Sequence, residues 1–394
     1  MKKNLLIAFL LVSCIQINAQ TPVDDNVNAP LELNTITTSV PFLIIGPDSK
    51  SGGMGDVGVA STPDANSMHW NPAKYAFVEN DMGFAINYVP WLRSLVPDIS
   101  LSYLSGYLKR NENETIGMSL RYFSLGDITF TDINGTTIGQ YKPNELAFSG
   151  AYARKLSENY SIAIAARYIY SDLTGGQTLT GGLGTHAGQS IAADIAGYFV
   201  KEIRIGEQDL DCAIGLNISN LGNKISYTET AVRDFIPINI RFGTSIGTNF
   251  DDYNKMSIEL DINKLLVPTP PQYNDDNERI AGMNPDVSVV SGVFQSFWDA
   301  PSGTKEEFRE INYSAGLEYW YAEQFAIRGG YFYEHPTKGD RQYFTMGAGV
   351  RYNVFQLDFS YLIDASSSIN GSNPLANTLR FTLTFDFGAL EAQG

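Results

Sequence analysis

From Leu379 to Phe387, large apolar residues occupy every second position, with Arg380, Thr382, Thr384 and Asp386 between them. This is the period-two pattern of a β-strand. Phe355, Leu357, Phe359, Tyr361 and Ile363 likewise oppose Gln356, Asp358 and Ser360, and Met256, Ile258, Leu260 and Ile262 oppose Ser257, Glu259, Asp261 and Asn263. Further strands are predicted from near Gly83, Asp98, Thr115, Glu145, Tyr160, Ser190, Asp209, Ile236, Glu310, Phe325 and Tyr343. The total is about fourteen, most of them near ten residues long.

Alternation by itself fits a soluble sandwich as well as a membrane barrel. Three features separate them. Strands in soluble proteins usually run about five or six residues, whereas a tilted bilayer crossing takes about 9 to 11. Tight links at 155–159, 248–252, 322–324 and around Asn353 alternate with long links at 126–143, 172–189, 265–309 and 364–377, the rhythm of short periplasmic turns and longer outer loops. Tyr88, Tyr103, Tyr168, Tyr170, Tyr331, Tyr333, Tyr352 and Tyr361 fall near strand ends, where amphipathic rings suit membrane interfaces. Beyond the first twenty residues there is no apolar run long enough for a spanning helix, so a closed barrel is the way to satisfy the backbone in lipid. The expected fold class is therefore all-β, a transmembrane outer-membrane β-barrel of about 14 antiparallel strands over 82–388, with a C-terminal tail at 389–394. An even strand number predicts both termini on the periplasmic side.

The chain opens with Met1-Lys2-Lys3, a short apolar core from Leu5 to Val12, and Asn18-Ala19-Gln20. These are the parts of a secretory signal over 1–19 cleaved after Ala19. Leu11-Val12-Ser13-Cys14 offers a competing reading, a lipoprotein site that leaves Cys14 acylated. Either route exports the chain. Outside that segment Cys212 stands alone, so no intramolecular disulfide is expected. His69, His186 and His335 are scattered without ligand spacing, so neither a metal site nor a cofactor is predicted. A net charge of −16 argues against nucleic acid, which needs basic surface to neutralise phosphate.

A barrel of this strand number is roughly 27 Å across, with a lumen on the order of 15 Å wide. The 20–81 segment lacks strand rhythm and is rich in Gly, Pro, Asn and Ser, the size and composition of an N-terminal plug or hatch. Gly53-Met54-Gly55-Asp56-Val57-Gly58 inside it fits the G-x-G-x-x-G spacing of a dinucleotide turn. Pro63 and Pro72 break the helix that such a turn requires, and no acid stands at the expected distance downstream. Gly52, Gly53, Gly55 and Gly58 are read instead as glycines that let an irregular backbone lie against the barrel wall. Gly243-Thr244-Ser245-Ile246-Gly247 matches G-x-S-x-G, yet it lies inside an alternating strand rather than on a strand-to-helix turn. Glu259, Asp261, Asp358 and Asp386 are lumenal carboxylates, which barrels carry without catalysis. An enzyme, for instance a lipid A deacylase, ranks third among the function classes, and no catalytic residue is assigned.

The run Asp48-Ser49-Lys50-Ser51-Gly52-Gly53-Met54-Gly55-Asp56-Val57-Gly58-Val59-Ala60, followed by Trp70-Asn71-Pro72-Ala73-Lys74-Tyr75-Ala76 just before the first strand, resembles the hatch of the FadL-like outer-membrane barrels. Within that superfamily it resembles most closely the PorV (LptO) family of the Bacteroidetes type IX secretion system. The resemblance is carried by Gly52, Gly53, Gly55, Gly58, Asn71, Pro72 and Ala73. It implies a component that binds cargo proteins through their C-terminal signal domains at the translocon barrel and shuttles them to the surface attachment complex, in contact with lipid or lipopolysaccharide of the outer membrane. The alternative is a transporter for hydrophobic small molecules. Only Lys50 and Lys74 in the hatch could hold a fatty-acid carboxylate.

The longest outer connection, 265–309, opens with Pro268-Thr269-Pro270-Pro271 and passes the acidic Asp275-Asp276-Asn277-Glu278. It then places Val287, Val290, Phe294, Phe297 and Trp298 near helix-face spacing. Val290, Phe294, Phe297 and Trp298 are the candidate partner-binding residues, since exposed aromatic and aliphatic side chains anchor protein interfaces. The competing reading folds the same stripe down over the barrel mouth. The glycine-rich loop from Gly175 to Gly188, with His186, is expected to be an outer loop rather than a phosphate cradle.

Overall fold

The computed structural model describes residues 33–388 apart from 93–95, 97, 132–134, 177–183, 229–232, 366–374 and 376. The signal at 1–19, Cys14, the first part of the hatch range and the 389–394 tail lie outside the described residues. Among those described, fourteen antiparallel strands close into a barrel. They are β1 (Met82–Pro90), β2 (Ser100–Asn111), β3 (Glu114–Ser124), β4 (Asn144–Lys155), β5 (Tyr160–Asp172), β6 (Gly188–Ile205) and β7 (Gln208–Gly222). The second half comprises β8 (Asn239–Asn249), β9 (Asn254–Leu265), β10 (Asn312–Tyr321), β11 (Phe325–Tyr333), β12 (Gln342–Tyr352), β13 (Phe355–Asp364) and β14 (Leu379–Phe387). Each pairs with its sequence neighbour, and β1 closes on β14 from Met82↔Phe387 to Tyr88↔Phe381.

The alternation sets which face each side chain takes, and the result is a soluble protein turned inside out. Ile86, Leu104, Met118, Phe148, Ile164, Ile191, Phe242, Leu260 and Leu357 are exposed on the outer surface. Asn87, Ser105, Arg121, Ser149, Asp194, Asn217, Arg241, Asp261, Arg328 and Arg380 are buried within. Such a surface is stable only where hydrocarbon replaces water, because each exposed apolar side chain is worth about 1.5–3 kcal/mol when removed from water. No helix of the described residues is long and apolar enough to cross a membrane.

Two strands are much longer than the expected ten or so residues: β6 has 18 residues and β7 has 15. Their hairpin projects past the neighbouring turns, and 201–205 is exposed on both faces. Tyr103 also departs from the interfacial role. It faces inward with 3% exposure, beneath the Arg121 guanidinium at 4.9 Å from the ring centre. Two loop hairpins, Ile128–Thr131 with Thr137–Tyr141 and Gln272–Tyr273 with Arg279–Ala281, were not expected from the pattern.

The hatch fills the lumen with short pieces: Pro41–Ile44, Ser49–Gly52, Ser67–Trp70 and Pro72–Phe77. Over the described residues the hatch runs from one mouth of the barrel to the other. The strand ends Met82 and Phe387 do share the short-turn end. The described chain, however, begins at the opposite mouth, where the Asn34 amide donates to the Thr337 carbonyl (3.0 Å) and its side chain reaches Pro270 O and Glu306 Oε1. Thr337, Pro270 and Glu306 all lie in long loops, so the segment threads the barrel lengthwise.

Candidate functional site

The hatch motif is a set of backbone fits. Asp48 caps Ser49–Gly52 by accepting from Ser51 N (2.9 Å), and accepts from Trp70 Nε1 (2.6 Å) as well. The chain then turns through Gly53-Met54-Gly55 flat against the wall. Gly55 has φ 72°, and a Cβ there would overlap the Tyr331 backbone. The wall answers with its own glycines. Gly316, Gly330 and Gly347, on β10, β11 and β12, face Met54, the Met54–Gly55 peptide and Gly53. Gly52 lies against the Arg380 side chain, and Gly58 against the Trp70 ring of the hatch itself rather than against the wall.

Asn71-Pro72-Ala73 is explained atom by atom. Asn71 Oδ1 accepts from Ala73 N (3.0 Å), which caps the following helical turn, and Pro72 opens that turn with no amide to satisfy. Asn71 Nδ2 donates to Val59 O within the hatch and to Gly197 O on β6, both at 3.0 Å. Ala73 O accepts from Ser161 Oγ on β5 (2.7 Å), and Trp70 O accepts from Asn217 Nδ2 on β7 (2.9 Å). Gly58 and Val59 donate their amides to Asp261 Oδ2 on β9, at 2.8 and 3.0 Å. Arg121 Nη1 collects the carbonyls of Phe42, Leu43 and Ile45 at 2.7–3.0 Å. Apart from Asp261, read above as a lumenal carboxylate, these wall anchors were not singled out in the sequence, though each is a polar residue at an inward position of an alternating strand.

Lys50 and Lys74, the two cations that could have held a carboxylate ligand, are committed inside the hatch. Lys50 Nζ binds Asp64 Oδ2 and Thr62 O at 3.1 Å, and Lys74 Nζ, fully buried, binds Gly58 O (2.7 Å) and Ser61 Oγ (2.8 Å). Two of the lumenal carboxylates are partnered as well. Asp358 pairs with Arg328 (2.7 Å), and Asp386 accepts from Tyr107 Oη (3.1 Å). Ser245 of the G-x-S-x-G match lies within β8 and faces Glu259 across the ladder, with no turn or helix beside it. At the short-turn end a cavity of about 410 Å³ is lined by Lys50, Asp64, Glu318, Trp320, Asp358 and Asp386, among others. Among the described residues no group of three or more His, Cys, Asp or Glu is placed to hold a metal ion.

At the other end the long loop packs one apolar set onto the barrel mouth and leaves another exposed. Ser288 Oγ caps the helix Val289–Gln295 by accepting from Ser291 N (3.2 Å). Val287, Val289 and Val293 pack onto an apolar cluster in the barrel mouth with Phe42, Phe235 and Leu266. Val290, Phe294, Phe297 and Trp298 point away and are 67, 62, 46 and 62% exposed. The base of the loop is fixed by a buried charge cluster. Lys264 Nζ pairs with Glu307 (3.2 Å) and Glu310 (2.5 Å), and Lys338 Nζ pairs with Glu306 (2.6 Å) and Glu310 (2.9 Å). Asp299 accepts from Thr269 N (3.1 Å) and Gln295 Nε2 (3.2 Å), while its Oδ1 has no partner. Burial first, then the neighbouring Glu307 and Glu310, push Asp299 up to about 6. Burial would also raise Glu306, but its bonds to Lys338, Ser302 N and Asn34 hold it below the ordinary glutamate value.

A closed barrel with an apolar outer face, a polar interior and a hatch bonded to its wall is an integral outer-membrane barrel protein. Residues 28–272, more than half of the chain, match the family described as Type IX secretion system protein PorV, and the chain belongs to that family. It is thus an outer-membrane component of type IX secretion, associated with that system.

Among solved structures, the Ralstonia pickettii toluene transporter TbuX is 12% identical, with a TM-score of 0.49 over 88% of this chain and 100% of its own. The P. putida toluene transporter TodX is 8% identical, with a TM-score of 0.47 over 87% of this chain and 99% of its own. A Pseudomonas aeruginosa FadL homologue is 10% identical, with a TM-score of 0.43 over 90% of this chain and 100% of its own. No curated protein sequence matches the chain.

Proposed function

We propose that the protein binds secreted cargo through its C-terminal signal domain at the translocon barrel and passes it to the surface attachment complex, using the long loop as its receiving surface. The observation that carries this reading is the outward set Val290, Phe294, Phe297 and Trp298, held on a loop whose base is pinned by Lys264 and Lys338 with the three carboxylates of Glu306, Glu307 and Glu310. Exposed aromatics on a rigid base are what interface anchors require. Family membership supplies the secretion context. In this reading the long loops face the exterior and the short turns face the periplasm.

The test replaces Val290, Phe294, Phe297 and Trp298 together with glutamine. Recovery of proteins bearing C-terminal signal domains with the purified barrel should fall at least about tenfold, because losing one buried aromatic anchor costs about 2 kcal/mol or more. Undiminished recovery from a folded barrel would falsify the assignment. The hatch supplies a second arm. Ser49 Oγ and Thr382 Oγ1 lie 3.2 Å apart, so a disulfide in the Ser49→Cys/Thr382→Cys variant staples the hatch to β14. A surface-binding shuttle keeps secreting with the staple in place, whereas a channel that opens by moving its hatch does not.

A further inference from the structure

The hatch enters at the long-loop mouth, at Asn34, and leaves at the short-turn end, at Met82. Between these points Met68, Trp70, Lys74 and Tyr75 are buried, and side-chain bonds tie the segment to β5, β7, β9, β12 and β14. Pulling such a segment lengthwise through a finished cylinder would drag those side chains past a close-packed wall. It has to be in place before the wall is complete.

The wall is completed between β1 and β14, the paired strands farthest apart in the chain. The hatch touches both at the same level. Thr382 Oγ1 on β14 accepts from Ser49 N (2.8 Å) and donates to Asn87 Oδ1 on β1 (2.7 Å). Asn87 Nδ2 in turn donates to Asn66 Oδ1 (2.8 Å), which also accepts from Ser105 Oγ on β2 (2.9 Å). Asn87 and Thr382 are direct partners in the ladder, and all four of Ser49, Asn66, Asn87 and Thr382 are 3% exposed or less. The chain of bonds runs from hatch to last strand to first strand and back to hatch.

We infer that the hatch is an assembly element, enclosed while the barrel is still open and clamping β14 to β1 through Ser49 and Asn66 as the seam closes. This function is separate from cargo binding. It gives the hatch a task that a passive plug would not have, and it leaves Leu33, 77% exposed, facing the cell exterior.

The full chain is pulse-labelled in cells, and its conversion to the compact, SDS-resistant barrel is followed on unheated gels. Asn66→Ala should slow conversion several-fold. Asn34→Ala, which removes hatch contacts at the mouth far from the seam, should convert at the wild-type rate. Adding Asn87→Cys and Thr382→Cys to Asn66→Ala, so that a disulfide joins the seam directly, should restore the rate. In a Cys212→Ser background, Leu33→Cys should react with an impermeant maleimide on intact cells. Conversion of Asn66→Ala at the wild-type rate overturns the inference, as does equal slowing by Asn34→Ala. A disulfide that forms without restoring the rate shows general packing instead of a clamp, and Leu33→Cys labelled only after the outer membrane is breached refutes the threading.

Discussion

Arg380 on β14 and Asp56 in the hatch are paired inside the lumen, 324 residues apart in the chain. Tyr343 Oη on β12 donates to the same carboxylate at 2.6 Å, and Asp56 holds a left-handed backbone with φ 60°. One carboxylate thereby joins the plug to two wall strands. Asp56→Asn keeps a residue tolerant of that backbone but strands the Arg380 charge. It should lower stability by about 3–5 kcal/mol, and adding Arg380→Met should recover a large part of the loss. Urea titration of the folded barrel in detergent reads both values, and strictly additive losses would contradict the pairing.

Two adjacent glycines on β11 should respond in opposite ways. A Cβ at Gly330 would overlap the Met54–Gly55 backbone, whereas one at Gly329 meets only Thr345 O at 3.9 Å. Gly330→Ala should therefore cost about 1–3 kcal/mol through overpacking and expose the hatch to protease. Gly329→Ala should be neutral or mildly stabilising. Equal effects in a limited-proteolysis comparison would show that the hatch does not lie where the structure has it.

The lipid face can be probed at one residue. Ile164, midway along β5, points outward and is 62% exposed. Ile164→Arg should cost about 2–4 kcal/mol in bilayers, because a guanidinium at the membrane midplane loses its hydration. Refolding yields in liposomes measure this, and a neutral outcome would mean that β5 does not face hydrocarbon.

The long loop should carry a pH signature. The folded value of Asp299, about 6, lies above its ordinary 3.8, so the folded loop favours the protonated acid. The stabilisation is full below about pH 4 and lost as pH rises through about 6. Glu306 acts in the opposite sense, but only below its ordinary 4.5. Between pH 5 and 7 the loop should thus become easier to cleave with rising pH, and Asp299→Asn should flatten that dependence. A wild-type profile that is flat over this range would contradict the buried position of Asp299.

Much of the barrel was legible locally. Whether Leu260 faces lipid and Asp261 the lumen follows from period two alone, and strand starts predicted near 83, 115, 145, 160 and 325 lie within a residue of β1, β3, β4, β5 and β11. The hatch motif was legible as a set of glycines and an Asn-Pro-Ala turn. Its wall partners were visible only as polar residues at inward positions, because alternation reports a face and not a neighbour. The outward loop residues Val290 and Phe294 could not be told from Val289 and Val293 by spacing, since all four lie on one short apolar helix.

The amino-acid order by itself determined the strands, their lipid and lumen faces, the alternation of turn and loop ends, and the presence of a plug, because each depends on residues within a few positions of one another. Tertiary structure alone decided that Asp56 meets Arg380, that Asn66 reaches Asn87 at the seam, and that the hatch runs from the long-loop mouth to the short-turn end. Those relations depend on register around a closed ring and on the path of a threaded segment, and contacts between residues hundreds of positions apart leave no periodic trace in the chain.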